Sequence, residues 1–237
     1  MKHLILALSL LFTALLPARA QAGTVAVLYF ENGANPELEM LKVGLAQMLI
    51  TDLQGTQGLT IVERAQLQAI LDELELGHSG KVDEATAAQV GKLLGAEYMV
   101  MGSYFEVAGM LRIDARVVRV ETGEIVHAKG VNGGTSELWT LEKDIAEDLA
   151  PVLAERTRKT RDEASTGSET PVEIVRSPPA LMEPDQEALQ AALSFSEGLI
   201  FLDKKDAPRA REAFEKAVAD DPALQSAAQG ALASLDL

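Results

Sequence analysis

The chain has 237 residues, 47% of them hydrophobic, with 21 basic and 36 acidic residues and a formal net charge of −15. That balance opposes nucleic acid and anionic lipid headgroups, because like-charge repulsion adds to the cost of displacing their counterions. There is no cysteine, which excludes a disulfide framework, a lipid-modified cysteine, cysteine-held metal or iron–sulfur centres, and thiol catalysis.

Lys2 is followed by an apolar run from Leu4 to Leu16, then Pro17, then the triplets Ala18-Arg19-Ala20 and Ala20-Gln21-Ala22. A short apolar run closed by small-x-small sites predicts a secretory signal peptide over residues 1–22, cleaved after Ala20 or Ala22. The run is shorter than the roughly 20 residues a spanning helix needs. Without Lys2 and Arg19 the exported chain keeps 19 basic and 36 acidic residues, a net −17.

Residues 23–161 mix the two periods of regular structure. Val25, Val27 and Tyr29 alternate with Ala26, Leu28 and Phe30, so both faces are apolar and a central, doubly covered strand is predicted. It breaks at Asn32-Gly33, and Pro36 suits the first turn of a helix. Leu38, Leu41, Leu45, Met48 and Leu49 form one apolar stripe on that helix. Residues 59–63 read as a second strand. Leu67, Ile70, Leu71 and Leu74 mark a second helix, ending near Gly77. Asp83 caps a third, with Ala87, Val90, Leu93 and Leu94 as its apolar face and Gly95 as its stop. A strand then runs to Val107 and turns at Ala108-Gly109. The next places Leu111, Ile113, Ala115 and Val117 inward and Arg112, Asp114 and Arg116 outward. Thr122-Gly123 leads to a last strand, and a helix over about 136–160 closes the domain. The order β-α-β-α-α-β-β-β-α predicts an α/β fold, a mixed sheet with helices packed on it.

Residues 162–184 are rich in Ser, Thr, Pro and Glu without helical periodicity, a linker composition. Residues 185–237 are helical again. The basic run Arg156, Arg158, Lys159 and Arg161 sits where the preceding helix ends, where cations complement the helix dipole.

Strand, glycine loop and helix also begin a nucleotide-binding domain. Here Gly33 stands alone, without G-x-G-x-x-G or a lysine-serine pair, and Glu31 and Glu37 flank it, so the loop reads as a turn. His78 and His127 share no metal spacing, and no serine lies in a G-x-S-x-G elbow. His127, on a strand beside Lys129, reads as a surface residue. The acidic residues single out no carboxylate pair. Trp139, the lone tryptophan, opens the last helix of the domain and reads as a core or interface anchor. No catalytic residue, cofactor site or metal site is predicted.

The run "VERAQLQAILDELELGHSGKVDEATAAQVGKLLGAEYMVMGSYFEV" resembles the central signature of the CsgG-like family, the curli assembly and secretion component and its relatives. The resemblance rests on Val62-Glu63-Arg64, Leu67, Ile70-Leu71, Ser79-Gly80, Val82-Asp83, Thr86-Ala87-Ala88, Gly91, Leu93 to Ala96, Tyr98 and Gly102-Ser103. Thr122 to Ile125 matches the later hairpin, and residues 25–32 are similar to the first strand of that family and of TolB-like amino-terminal domains. It covers residues 24 to about 135. It implies a periplasmic module acting by protein–protein contact, often oligomeric, at the outer membrane, with envelope or outer-membrane proteins as partners and no small-molecule cofactor. The chain departs from the secretion channel in lacking a lipoprotein cysteine. The strand pair at 97–120 alternates well enough for a membrane hairpin, but the core sheet needs it.

In the C-terminal region Gly198, Phe201, Ala210, Phe214, Ala217 and Pro222 fall at the offsets of a tetratricopeptide repeat, with Ser194 where a large residue is expected. Leu189, Leu193, Leu199 and Ile200 form one stripe. Asp206 caps the second helix before Pro208, and Asp221 with Pro222 starts a third. One such repeat cannot bury its faces alone, so it docks on the first domain, on a second copy or on a partner. Repeat geometry implies that Phe195, Leu202 and Asp203 line a partner groove. The expected function is a non-enzymatic periplasmic scaffold supporting outer-membrane assembly or secretion. The alternatives are an activator of cell-wall synthases and a carboxylate-dependent periplasmic hydrolase.

Overall fold

The computed structural model describes residues 23–33, 35–76, 83–163 and 186–233. The expected signal segment, the His78 loop and most of the expected linker lie outside the described residues.

The doubly apolar opening strand sits inside a sheet. β1 (Gly23–Val27) runs parallel to β3 (Leu59–Ile61) on one side and to β4 (Tyr98–Val107) on the other. β4, β5 (Met110–Arg119) and β6 (Ile125–Gly134) continue as an antiparallel meander, giving the order β3-β1-β4-β5-β6. Leu111, Ile113, Ala115 and Val117 are buried as their alternation requires. Ala108 and Gly109, both at positive φ (54° and 80°), form the tight β4–β5 turn, a two-residue hairpin whose twist matches the right-handed twist of the strands.

The chain leaves the sheet at Asn32-Gly33 as expected, but regular pairing in the strand before it is interrupted after Val27. After Phe30 a two-residue strand, β2 (Glu31–Asn32), pairs in parallel with Ser103 and Tyr104 of β4, and the Gly33 amide donates to the Tyr104 carbonyl at 2.8 Å. Pro36–Leu38 is a short 3-10 turn capped by Asn35, whose Oδ1 accepts from the Glu37 amide at 3.0 Å.

Helix α1 (Leu41–Leu53) is buried on more than the expected stripe: Val43, Gly44, Ala46 and Ile50 are covered as well as Leu41, Leu45 and Leu49. The extra cover comes from α4 (Leu138–Glu163) and from the C-terminal helix α5 (Gln186–Asp203), both of which pack on α1. Gly44 makes the α5 contact possible, since a Cβ there would lie 2.1 Å from Ser196 Oγ. α4 runs to Glu163, so Asp162 and Glu163, assigned to the linker by composition, end a helix instead.

α2 (Arg64–Glu73) buries Leu67 and Leu71. α3 (Glu84–Leu94) is capped as expected, with Asp83 Oδ1 accepting from the Thr86 amide at 2.7 Å and Gly95 at φ 66° closing it. Its Leu93 is 54% exposed, not part of the apolar face. Ala87 and Val90 carry that face, and Leu93 lies off their line.

α5, α6 (Ala207–Asp220) and α7 (Gln225–Ala233) form the C-terminal layer. Asp206 caps α6 through the Arg209 amide, and Asp221 caps the turn before α7 through the Ala223 amide. The Phe195 and Phe214 rings meet at 5.4 Å with planes 55° apart, and a Cβ at Gly198 would fall 2.6 Å from Phe214. One apolar cluster runs without interruption from Val25 through the sheet to Phe195, Phe214 and Ala228. The C-terminal helices thus dock on the α/β unit of their own chain.

Candidate functional site

A cleft of about 670 Å³ opens where α5 and α7 meet the outer side of α1 and the starts of α2 and α4. Its walls mix apolar and polar groups, the apolar part being Met48 from α1, Trp139 from α4, Phe195, Leu199 and Leu202 from α5, and Leu224 and Ala227 from the α7 side. Its charged lining is Asp52, Glu63, Arg64, Glu142 and Lys143.

Arg64 fixes one end. Its NH1 donates to Asp203 Oδ2 at 2.5 Å across 139 residues of sequence, and its Nε donates to Gln47 Oε1 at 3.2 Å. The same NH1 lies 3.4 Å from the Tyr29 hydroxyl, which donates to Gln68 Oε1 at 2.6 Å. Burial pushes the Tyr29 phenol well above its ordinary range. Both members of the Arg64–Asp203 pair are nearly covered, so the pair depends on this ring of hydrogen bonds to offset its lost hydration.

Glu142 is the anomaly. It is only 2% exposed, and its Oε1 has no hydrogen-bond partner among the described residues. Burial, reinforced by the Asp52 carboxylate and opposed by Lys143, pushes its carboxyl from 4.5 up to about 8. A buried carboxyl of this kind, beside a cleft, is a candidate for binding or proton exchange. Its position has a sequence signal: Leu138, Glu142, Ile145, Leu149 and Leu153 share one helical stripe, so Glu142 occupies a core position in α4.

Phe195 and Leu202 line this cleft, with Phe195 fully buried, while Asp203 is engaged by Arg64. Trp139 is an internal anchor: its Nε1 donates to Asp221 Oδ2 at 2.7 Å and ties the start of α4 to the α6–α7 junction. His127 is not a plain surface residue. Its Nε2 lies 2.6 Å from Asp148 Oδ1, and Lys129 Nζ lies 3.4 Å from Asp148 Oδ2, which fastens β6 to α4. The loop after β2 uses its polar groups structurally, with Asn32 Nδ2 donating to the Asn35 carbonyl at 2.6 Å and Asn35 Nδ2 donating to Glu106 Oε2 of β4 at 3.2 Å. Among the described residues no group of three or more His, Asp or Glu side chains is arranged to hold a metal ion. No described helix is long and apolar enough to cross a membrane.

Residues 13–110 match the family model of the curli production assembly/transport component CsgG. The match ends at the β4–β5 turn, so the hairpin at Thr122–Ile125 lies beyond it. A curated relative, putative adenylate cyclase 3 of Rhizobium meliloti (strain 1021), is 25% identical over 139 residues, 58% of this chain. The matched region spans about a fifth, 22%, of that protein's length. Among solved structures, the LpoB C-terminal domain from Escherichia coli is 18% identical, with 47% of this chain and 82% of that chain covered and a TM-score of 0.38. The lipoprotein GNA1162 from Neisseria meningitidis is 11% identical, with 54% of this chain and 96% of that chain covered and a TM-score of 0.42.

Proposed function

We propose that this chain is an exported, non-enzymatic interaction protein that supports assembly or secretion at the outer membrane of a bacterial envelope. The observation that carries the reading is the match of residues 13–110 to the curli assembly/transport family. The signal-like first 22 residues and the strongly acidic composition support export and a soluble working form. The C-terminal helices serve as a single tetratricopeptide-like repeat that caps the α/β unit. Gly198 against Phe214, and the buried small residues Ala210 and Ala217, support that assignment.

The test is fractionation combined with in-cell crosslinking of the full chain. Recovery in the periplasmic fraction with a reproducible adduct to one envelope protein, or to a second copy, is expected. Retention in the cytoplasm, or a periplasmic chain that is strictly monomeric and captures nothing, would contradict the reading.

A further inference from the structure

We propose that the cleft between α1, α4 and α5 is a binding site for a small organic cation, a hydrocarbon body carrying a substituted ammonium group that pairs with Glu142. Three independent features point there. The volume of about 670 Å³ falls in the range of sites that enclose a small molecule, roughly 300–1,000 Å³. The walls supply Met48, Leu199 and Leu202 for a hydrocarbon body and the partly exposed ring of Trp139 for the cation. Glu142, almost wholly buried, offers an oxygen that nothing in the described chain satisfies, and a buried polar atom without a partner is costly unless a ligand completes it.

Charge selects the cation. Asp52 on α1, Glu63 before α2 and Glu142 on α4 bring three carboxyl groups to the lining, against Arg64 and Lys143. Arg64 is already neutralised by Asp203, so an incoming carboxylate meets an unfavourable balance and an ammonium a favourable one. From the α5 and α7 sides the lining is Phe195, Leu199, Leu202, Leu224 and small neutral residues, so no further titratable group faces Glu142 from there. Because burial and Asp52 hold its carboxyl protonated near neutrality, capture of a permanent cation drives a proton off Glu142. The ligand and the proton compete for the same oxygen.

The experiment titrates the full chain with hexyltrimethylammonium, its uncharged tert-butyl isostere and hexanoate, by calorimetry in two buffers of different ionisation enthalpy. The quaternary ammonium is expected to bind at least tenfold tighter than the isostere and hexanoate not to bind. Proton release on binding is expected at pH 7, with affinity rising from pH 6 to pH 9. Glu142→Gln, which keeps the shape, is expected to lose at least tenfold in affinity for the cation and little for the isostere. Ala227→Phe, which fills the cleft without changing its charge, is expected to weaken both. Equal binding of cation and isostere, or a Glu142→Gln chain that binds the cation as well as its parent, would overturn the assignment. Cation binding unaffected by Ala227→Phe would overturn it too.

Discussion

Replacing Glu142 by Gln removes a titration from the interior of the molecule while leaving its shape in place. The sign follows from the direction of the shift. The folded chain holds the Glu142 proton up to about pH 8 whereas an ordinary carboxyl releases it near 4.5, so between those values the folded state binds more protons than the unfolded one. Stability therefore falls as pH rises through that window. At 1.36 kcal/mol per pH unit the interval from 4.5 to about 8 is worth at most about 5 kcal/mol. Relaxation around a buried charge lowers the penalty actually realised, so about 2 kcal/mol is the working figure. Urea unfolding of parent and Glu142→Gln chains at pH 5, 6, 7, 8 and 9 measures it. The variant is expected to match its parent near pH 5 and to exceed it by about 2 kcal/mol at pH 8 and above. A difference between the two chains that does not change with pH would refute the buried, unpartnered carboxyl.

Asp203→Asn leaves the Arg64 guanidinium buried without its counter-charge, and a loss of about 3–5 kcal/mol is expected in the same unfolding assay. A loss below about 1 kcal/mol would place the pair in water. Gly44→Val forces a Cβ into the Ser196 hydroxyl, which already donates to the Ala192 carbonyl at 2.7 Å. A cost of about 1–3 kcal/mol is expected, with part of it recovered by adding Ser196→Gly, and no recovery in the double variant would locate the strain elsewhere.

The sheet was legible because its signals are local. Alternation in β5 and the doubly apolar pattern of β1 each state their own burial, and the caps at Asp83, Gly95, Asp206 and Asp221 state the helix ends. The departures share one cause, which is contact between segments distant in sequence. The one strand expected up to Asn32-Gly33 is split, with β1 ending at Val27 and the last two residues pairing with Ser103 and Tyr104 of β4. The single stripe expected of α1 became a wider buried face because α5, more than a hundred residues later, packs on it. Leu93 was counted as core from its spacing alone, and it is exposed. The same holds for the cleft. Phe195, Leu202 and Asp203 were expected to line a partner groove, and the structure puts Phe195 and Leu202 on the cleft and Asp203 on Arg64. Arg64 reads as part of a family signature, and nothing near it announces Asp203. Glu142 stood in an apolar stripe where a carboxylate has no local reason to be, a signal easily lost in a chain with 36 acidic residues.

The closure of the C-terminal helices on α1 creates both the continuous core and the cleft, and a cysteine pair tests it most directly in a chain that has no other thiol. A Cβ built at Gly44 lies 3.4 Å from Ser196 Cβ, close to the roughly 3.5–4.5 Å spacing a disulfide uses. The double variant Gly44→Cys, Ser196→Cys is expected, on mild oxidation of dilute protein, to give a monomer whose intact mass has fallen by two hydrogens. Free thiols that persist, or disulfide-linked dimers in place of the closed monomer, would contradict a helical layer folded onto its own chain.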